Sequence, residues 1–262
     1  MAQEQTPVST RQDGEVVTIT IERPDAFNAL NRVTHEALNA AVRAVAALDP
    51  LPRVLILTGA GEQAFAGGLD PSELVDFGPS TGEYMSRVGQ ETCLFLDRMP
   101  VVTLAAVNGV AVGGGLELSL ACDLVVASPN ARFIQVEAYA GVIPGFGGTF
   151  RLARRVGQMR ARLMSYTGRP VDAETGAAWG LALEVVPADQ LMARAREIAG
   201  WVLAAAPEAV RETKRVIAQS ADLGVEAANA IERRAFAARF ASPEMTAAMG
   251  HALATRDQIL AG

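Results

Sequence analysis

The chain has 262 residues, of which half are hydrophobic and a fifth are charged, and its formal net charge is −6. This composition is typical of a globular protein with one large domain, or with a large and a small one. A chain that is negative overall lacks the basic surface of nucleic-acid-binding proteins, so we expect no nucleic-acid partner. A small anion held by local backbone N–H groups is not excluded.

Several features of the sequence bear on its compartment. Residues 1–6 are polar and acidic, without the apolar segment of a signal peptide. No uncharged apolar run reaches the roughly 18 residues of a membrane helix. The two cysteines, Cys93 and Cys122, are too few for a disulfide framework, and the apolar run around Cys122 predicts a buried thiol. We therefore expect a cytoplasmic protein without membrane contact.

Apolar runs and turn residues predict strands that alternate with helices over the first part of the chain. Pro24 ends the first predicted strand, and Asn31 precedes a helical pattern. Later apolar runs are short and bounded by glycine, as expected of strands buried on both faces. In chain order we predict strand 15–21, helix 33–48, strand 54–58, helix 86–99, strand 101–107, helix 113–121, and strands 124–127 and 132–135.

From about residue 150 onward the patterns are helical. Predicted helices there cover 150–156, 158–166, 172–179, 188–205, 207–219 and 224–240. Alternating strands and helices followed by an all-helical tail predict an α/β core with a helical extension.

The few histidines and the lack of a serine motif argue against a metal site and against a Ser-His-Asp triad. His35 and His251 are the only histidines, and each lies in a predicted helix. Without a second histidine or a cysteine at ligand spacing, we expect no metal site. The sequence also lacks the Gly-x-Ser-x-Gly turn, which argues against a Ser-His-Asp triad.

Two glutamates, Glu117 and Glu137, are the most informative residues, because each closes a largely apolar segment. An unpaired carboxylate is costly to bury. Two carboxyls in one apolar pocket can have their pKa values pushed apart, so that one acts as a base and the other as an acid. The alternative, which such residues favour when taken alone, is that each glutamate caps a helix or pairs with an arginine.

Two glycine clusters are candidate ligand sites. Gly113, Gly114 and Gly115 follow an apolar strand-like segment and open a helix, where backbone N–H groups stabilise an anion. Residues 65–70 form a predicted turn whose glycines let a ligand approach the main chain. The first cluster lacks the Gly-x-Gly-x-x-Gly spacing of a dinucleotide site. Taken alone, three glycines more often indicate close packing of a helix on a strand.

Several ordered motifs are similar to those of the crotonase, or enoyl-CoA hydratase/isomerase, superfamily. They are IERPDAFNALN at 21–31, LILTGAG at 55–61, FAGGLD at 65–70, AVNGVAVGGGLEL at 106–118, ACD at 121–123, and VIPGFGGT at 142–149 followed by Arg151-Leu152. The similarity covers residues 15–187 well and the tail weakly. On these motifs the chain is identified as a member of that superfamily.

The resemblance implies a crotonase-like spiral of ββα turns at 1–187 that binds an acyl-CoA thioester, and a helical region at 188–262 that assembles homotrimers or hexamers. Coenzyme A would be part of the substrate, and no separate cofactor is implied. The backbone N–H groups of Leu69 and Gly114 match oxyanion-hole donors, which stabilise negative charge on the thioester oxygen. The substrate-binding positions that the resemblance implies are Ala26, Phe27, Ala66, Gly68, Leu69, Asp70, Gly113, Gly114 and Val136.

The resemblance also implies catalytic roles. Glu117 and Glu137 match the two glutamates of the hydratases, and Gly145 matches the glycine whose backbone helps to place the water. Keeping both glutamates favours syn addition of water to a 2-trans-enoyl-CoA, with Glu117 activating the water for C3 and Glu137 delivering a proton to C2. These two roles stay open within a coupled pair.

Two alternatives remain beside the hydratase. One is an enoyl-CoA isomerase or another reaction of the superfamily. The other is an acyl-CoA-binding protein without catalysis, against which the glutamate pair argues, because a binder has no reason to bury two carboxylates.

Overall fold

The computed structural model describes residues 6–259 of the chain. The strands are two to six residues long. In chain order they are β1 (Val8–Asp13), β2 (Val16–Ile21), β3 (Val54–Gly59), β4 (Ala64–Ala66), β5 (Val102–Val107), β6 (Val110–Val112), β7 (Leu124–Ala127), β8 (Arg132–Ile134), β9 (Val171–Asp172) and β10 (Glu184–Val185).

Helices fill most of the remaining described residues. In chain order they are α1 (Arg32–Ala46), α2 (Pro71–Leu74), α3 (Pro79–Arg98), α4 (Gly114–Ala121), α5 (Gly148–Val156), α6 (Gln158–Thr167), α7 (Ala173–Trp179), α8 (Leu191–Ala204), α9 (Pro207–Ser220), α10 (Val225–Arg239) and α11 (Pro243–Ile259). Short 3-10 helices lie at Pro24–Ala26, Glu137–Ala140 and Ala188–Gln190.

The strands form two sheets. The larger sheet has the order β1-β2-β3-β5-β7-β10, and the smaller has the order β4-β6-β8-β9. Only the edge pairs β1–β2 and β8–β9 are antiparallel within these described sheets. Three times in succession, a strand of the larger sheet is followed by a strand of the smaller sheet and then by helix. This repeated ββα arrangement confirms the predicted α/β, crotonase-like fold.

The core of the larger sheet follows from its sequence. All six residues of β3 are buried, which explains a continuous apolar run instead of an alternating one. Beside the sheet, α1 begins where Asn31 accepts a hydrogen bond from Thr34 N at 2.9 Å. Its buried face carries Leu38, Val42 and Val45 at helical spacing. Loss of such a cap typically costs about 1 kcal/mol of stability.

Several predicted boundaries differ from the structure. Helix α3 begins at Pro79, before the predicted start at residue 86. The earlier start was not predicted, because Gly82 and its polar neighbours interrupt the apolar pattern of the first turns. The polar edge strand β1 escaped prediction, since most of its residues are exposed. Strands β4, β6, β9 and β10 have only two or three residues, too few for a periodicity.

The described part of the chain divides into two compact units, a first unit that ends at Ala199 and a second unit that begins at Gly200. This division falls later than the predicted boundary at 187/188. The reason lies in the first half of α8, where Leu191, Ala195, Ile198 and Ala199 are buried. The proposed functional boundary at 187/188 remains a prediction.

Some sequence-based expectations concern residues at the chain ends. Residues 1–5, on which the signal-peptide argument partly depends, and the side chain of His251 lie outside what the structure describes. Over the described part of the chain, no helix combines the length and the apolar character that crossing a membrane requires.

Candidate active site

A pocket of about 990 Å³ lies at the carboxyl ends of β4, β6 and β8. Because these three strands are parallel, their carboxyl ends meet at one edge of the small sheet. The walls come from residues 67–71, the first half of α3, residues 112–117 and the segment 136–146. Eight predicted site residues line it: Gly68, Leu69, Gly113, Gly114, Glu117, Val136, Glu137 and Gly145.

Glu117 lies in the first turn of α4 and is 1% exposed. Its Oε1 accepts hydrogen bonds from Phe146 N at 2.8 Å and from Gly148 N at 2.6 Å. Gly148 is the first residue of α5, so this oxygen caps a helix, as the alternative to a catalytic role predicted. The same side chain lines the pocket. Glu117 therefore makes a structural contact and also borders the pocket.

The environment of Glu117 shifts its ionisation. Burial raises the pKa of the carboxyl to about 7, because the anion loses its hydration. The negative charge of Glu137 raises it as well, whereas the two backbone N–H donors and the positive charge of Arg151 oppose the rise. A carboxyl that titrates near neutrality is suited to proton transfer.

Glu137 is the first residue of the 3-10 helix that follows β8. Gln135 Nε2 donates to both of its carboxylate oxygens, each at 2.9 Å. Burial again raises the pKa of this carboxyl, against the effect of the Gln135 amide. Gly113 gives it room: its φ is +49°, and a Cβ placed there would lie 2.9 Å from Glu137 Oε1. A side chain at Gly113 would therefore displace the second glutamate.

The surroundings of Leu69 and Gly114, the predicted oxyanion-hole residues, follow from nearby backbone hydrogen bonds and from helix α4. Leu30 N donates to Gly68 O at 2.7 Å, and Asp70 N donates to Leu30 O at 3.2 Å. Gly68 O and Leu69 N belong to one planar trans peptide, so the N–H of Leu69 points away from Leu30. Gly114 begins α4, and its N–H has no carbonyl one turn earlier in the helix.

The segment after β4, which carries Leu69, packs closely against the segment after β6, which carries Gly114. Gly68 has φ +79°, and a Cβ there would lie 2.6 Å from Val112 O and 3.5 Å from Gly114 N. Only glycine fits this approach without strain. The third glycine of the triplet has the packing role that the sequence left open, since a Cβ on Gly115 would lie 2.0 Å from Ala66 O.

Four predicted substrate-binding residues do not line the pocket. Ala26 and Phe27 lie on the turn between β2 and α1, where Phe27 is 54% exposed. Ala66 is buried within β4. Asp70 caps α2 through Ser72 N at 3.1 Å and pairs with Arg23 at 3.1 Å. Their contact with substrate remains a prediction.

Sequence reasoning missed four residues that surround the glutamates: Ser86, Gln90, Gln135 and Phe146. Ser86 and Gln90 are one turn apart on α3, a spacing that places two polar groups on the same face. Gln135 precedes Glu137 by two residues and was included in a predicted strand. Phe146 lies against Gly114, and its ring is 4.8 Å from that of His35. No local pattern pointed to that contact.

We expect Glu117→Gln to make the protein more stable at about pH 8 than the wild type, with a smaller difference at about pH 5. The folded-state pKa of Glu117 is raised from 4.5 to about 7. Its stabilising contribution is therefore complete below the unfolded pKa and is lost as pH rises through 7. Glutamine stays neutral and keeps an oxygen for the N–H groups of Phe146 and Gly148. The full effect is at most about 3 kcal/mol.

Urea unfolding of both proteins at the two pH values measures this difference. Glu62→Gln, a change at an exposed residue, is the matched control and should show no such dependence. An equal difference between wild type and Glu117→Gln at both pH values would contradict a raised pKa.

Comparison with known proteins agrees with this geometry. A family model described as enoyl-CoA hydratase/isomerase matches residues 11–257. The short-chain-enoyl-CoA hydratase of Clostridium acetobutylicum is 36% identical over 242 residues, which are 92% of each chain. The crotonyl-CoA hydratase of Syntrophomonas wolfei is 34% identical, with 91% of each chain covered.

Solved structures show the same similarity in three dimensions. The crystal structure of an enoyl-CoA hydratase from Bacillus anthracis superimposes with a TM-score of 0.90 at 31% identity, covering 95% of this chain and 96% of the other. The family match and these relatives extend over almost the whole sequence and confirm the resemblance found in the motifs. The chain therefore belongs to the enoyl-CoA hydratase/isomerase family.

Proposed function

We propose that the protein is an enoyl-CoA hydratase, which adds water to a 2-trans-enoyl-CoA and forms a 3-hydroxyacyl-CoA. One observation carries the proposal: buried Glu117 and partly buried Glu137, both with raised pKa values, line the same pocket as Leu69 and Gly114. The names of the two curated relatives support the same reaction and suggest a short acyl chain as the first substrate to test.

The oxyanion donors account for the electronic part of the reaction. When water attacks C3 of a conjugated thioester, electrons move to the thioester oxygen and form an enolate. The N–H groups of Leu69 and Gly114 would donate to that oxygen. Donors held in place before the reaction need no reorganisation, and the loss of one typically costs about 3–4 kcal/mol of transition-state stabilisation.

The glutamates account for the proton transfers. One carboxylate takes a proton from water as its oxygen bonds to C3, and the other carboxyl gives a proton to C2, so that H and OH add to the same face. Holding water and alkene in contact supplies much of the acceleration through orientation. Gly145 lines the pocket in the same segment as Glu137, and its backbone would help to place the water.

A panel of thioesters tests this function. Loss of the conjugated enoyl-thioester absorbance with a 2-trans-enoyl-CoA, and formation of the 3-hydroxy product, supports the hydratase. Conversion of a 3-enoyl-CoA to the conjugated isomer, without hydration, would instead support the isomerase. Tight binding without turnover of any member of the panel would support the acyl-CoA-binding protein.

We also propose that the enzyme is cytoplasmic. We further propose that several copies of the chain assemble through the second unit. In the second unit, several large apolar side chains are exposed, and Phe236 and Phe240 stack edge to face with 5.0 Å between ring centroids. Exposed apolar groups in such number are typical of an interface. They are Ile217, Val225, Phe236, Phe240, Met249 and Leu253.

We therefore expect light scattering to report a homotrimer or a pair of trimers at micromolar concentration. Burial of these apolar groups between subunits would provide the driving force. A mass near 27.5 kDa, that of one chain, would contradict assembly but would leave the proposed hydration reaction unaffected.

A further inference from the structure

Two side chains of α3 converge on one carbonyl oxygen beside the pocket. Ser86 Oγ donates to Gly145 O at 2.6 Å, and Gln90 Nε2 donates to the same oxygen at 3.0 Å. Gln90 Nε2 also donates to Ser86 Oγ at 3.2 Å. The two side chains are one helical turn apart and both line the pocket. Each therefore supports the other in holding this carbonyl.

The peptide that they hold also carries a hydrogen-bond donor to Glu117. Gly145 O and Phe146 N belong to one peptide unit, which is planar. Phe146 N donates to Glu117 Oε1 at 2.8 Å. Because the carbonyl and the N–H of a peptide point in opposite directions, fixing the carbonyl on α3 aims the N–H at the carboxylate.

Residues 143–146 are held mainly by hydrogen bonds to side chains and less by hydrogen bonds to the backbone. Backbone hydrogen bonding runs as far as Val142 N, which donates to Glu137 O at 3.1 Å, and resumes where Gly147 O accepts from Arg151 N at 3.0 Å. Between these points, the hydrogen bonds described for the segment are made with the side chains of Ser86, Gln90, Glu117 and Arg151. The direction of the Phe146 N–H thus depends on the α3 contacts.

We propose that Ser86 and Gln90 are positioning residues for the hydration reaction: through Gly145 O they aim the Phe146 N–H at Glu117 and keep that carboxyl in its reactive orientation. This inference rests on the proposed hydratase function. Neither side chain needs to touch the reacting atoms, because its effect reaches Glu117 through a single peptide.

The direction of the effect on ionisation follows from the contacts. The Phe146 N–H lowers the pKa of Glu117, against the effect of burial. A peptide whose carbonyl accepts hydrogen bonds is a stronger N–H donor. Loss of the Ser86 hydroxyl should therefore raise the pKa of Glu117 further. The direction is the same whether Glu117 acts as the base or as the acid.

Other groups around Glu117 are left in place by changes on this face of α3. Glu137, after β8, raises the pKa of Glu117, and Arg151, on α5, lowers it. Cys93, also on α3, donates to Glu117 O at 3.8 Å. Since none of them contacts Gly145 O, a shift caused by substituting Ser86 is attributable to the Gly145–Phe146 peptide.

Kinetics of Ser86→Ala and Gln90→Met test the inference. We expect kcat to fall about tenfold to a hundredfold, as for a small misplacement of a reacting group, with KM near the wild-type value. The limb of the pH–rate profile that reports Glu117 should move to higher pH. Ser86→Thr, which restores a hydroxyl, should recover most of the activity. Ser80→Ala, on the exposed face of α3, is the matched control and should behave as wild type.

A double-mutant cycle separates positioning from general damage. In the Glu117→Gln background, Ser86→Ala should cause little further loss, because the two changes act through one contact. A full additional loss there, or a lower kcat without movement of the pH limb, would overturn the proposal.

A direct titration keeps the inference separate from the proposed function. In protein labelled with 13C at glutamate carboxyls, the signal that disappears in Glu117→Gln reports the pKa of Glu117. An upward shift in Ser86→Ala supports the positioning contact even if no enoyl-CoA is hydrated, in which case only the proposed function fails. An unchanged titration overturns the inference even if the wild type is an active hydratase.

Discussion

Glu117→Gln and Glu137→Gln are each expected to lower kcat by about 10²–10⁴-fold, the usual contribution of a positioned acid or base, with little change in substrate binding. The glutamine amide cannot donate or accept a proton near neutral pH as a carboxyl group does, but its side chain has nearly the same shape as that of glutamate. In the first variant, its oxygen can still accept from Phe146 N and Gly148 N. In the second, its oxygen can still accept from Gln135 Nε2.

Steady-state kinetics of the single and double variants measure this effect, with Glu62→Gln as the matched control on the exposed surface. The double variant should lose less than the sum of the two single losses, since residues that act as one unit are not additive. Wild-type turnover in either single variant would contradict the proposed mechanism.

Gly114→Pro is expected to lower kcat by about 10²–10³-fold more than Gly114→Ala does, because only proline removes the N–H that would serve the thioester oxygen. Proline is tolerated in the first turn of a helix. The structure shows why the alanine variant is needed: a Cβ at Gly114 would lie 2.5 Å from the ring of Phe146. Both variants share this crowding, and they differ in the donor.

Circular dichroism and kcat measured on the same preparations separate the two effects. Equal activity in folded Gly114→Ala and Gly114→Pro would show that Gly114 serves packing alone. A lower kcat in both, relative to wild type, measures the cost of displacing Phe146.

Local sequence patterns determined much of the first unit. The cap at Asn31, the fully buried strand β3, and the helix that opens at the triple glycine all follow from local rules of backbone geometry and burial. The ordered motifs around Glu117 and Glu137 match these residues to the two glutamates of the hydratases. Chemistry carried by short motifs could therefore be predicted from the sequence.

The contacts that orient this chemistry were decided by the tertiary structure. Ser86 and Gln90 reach Gly145 across 59 and 55 residues, and Glu117 caps α5 from α4. No periodicity encodes such distances along the chain. They arise because the parallel strands β4, β6 and β8 end at one edge of the small sheet, where their loops meet α3. The sequence by itself determined which residues are candidates for the proposed reaction, whereas the packing of distant segments decided how each is held, since hydrogen bonds between them exist only after those segments meet.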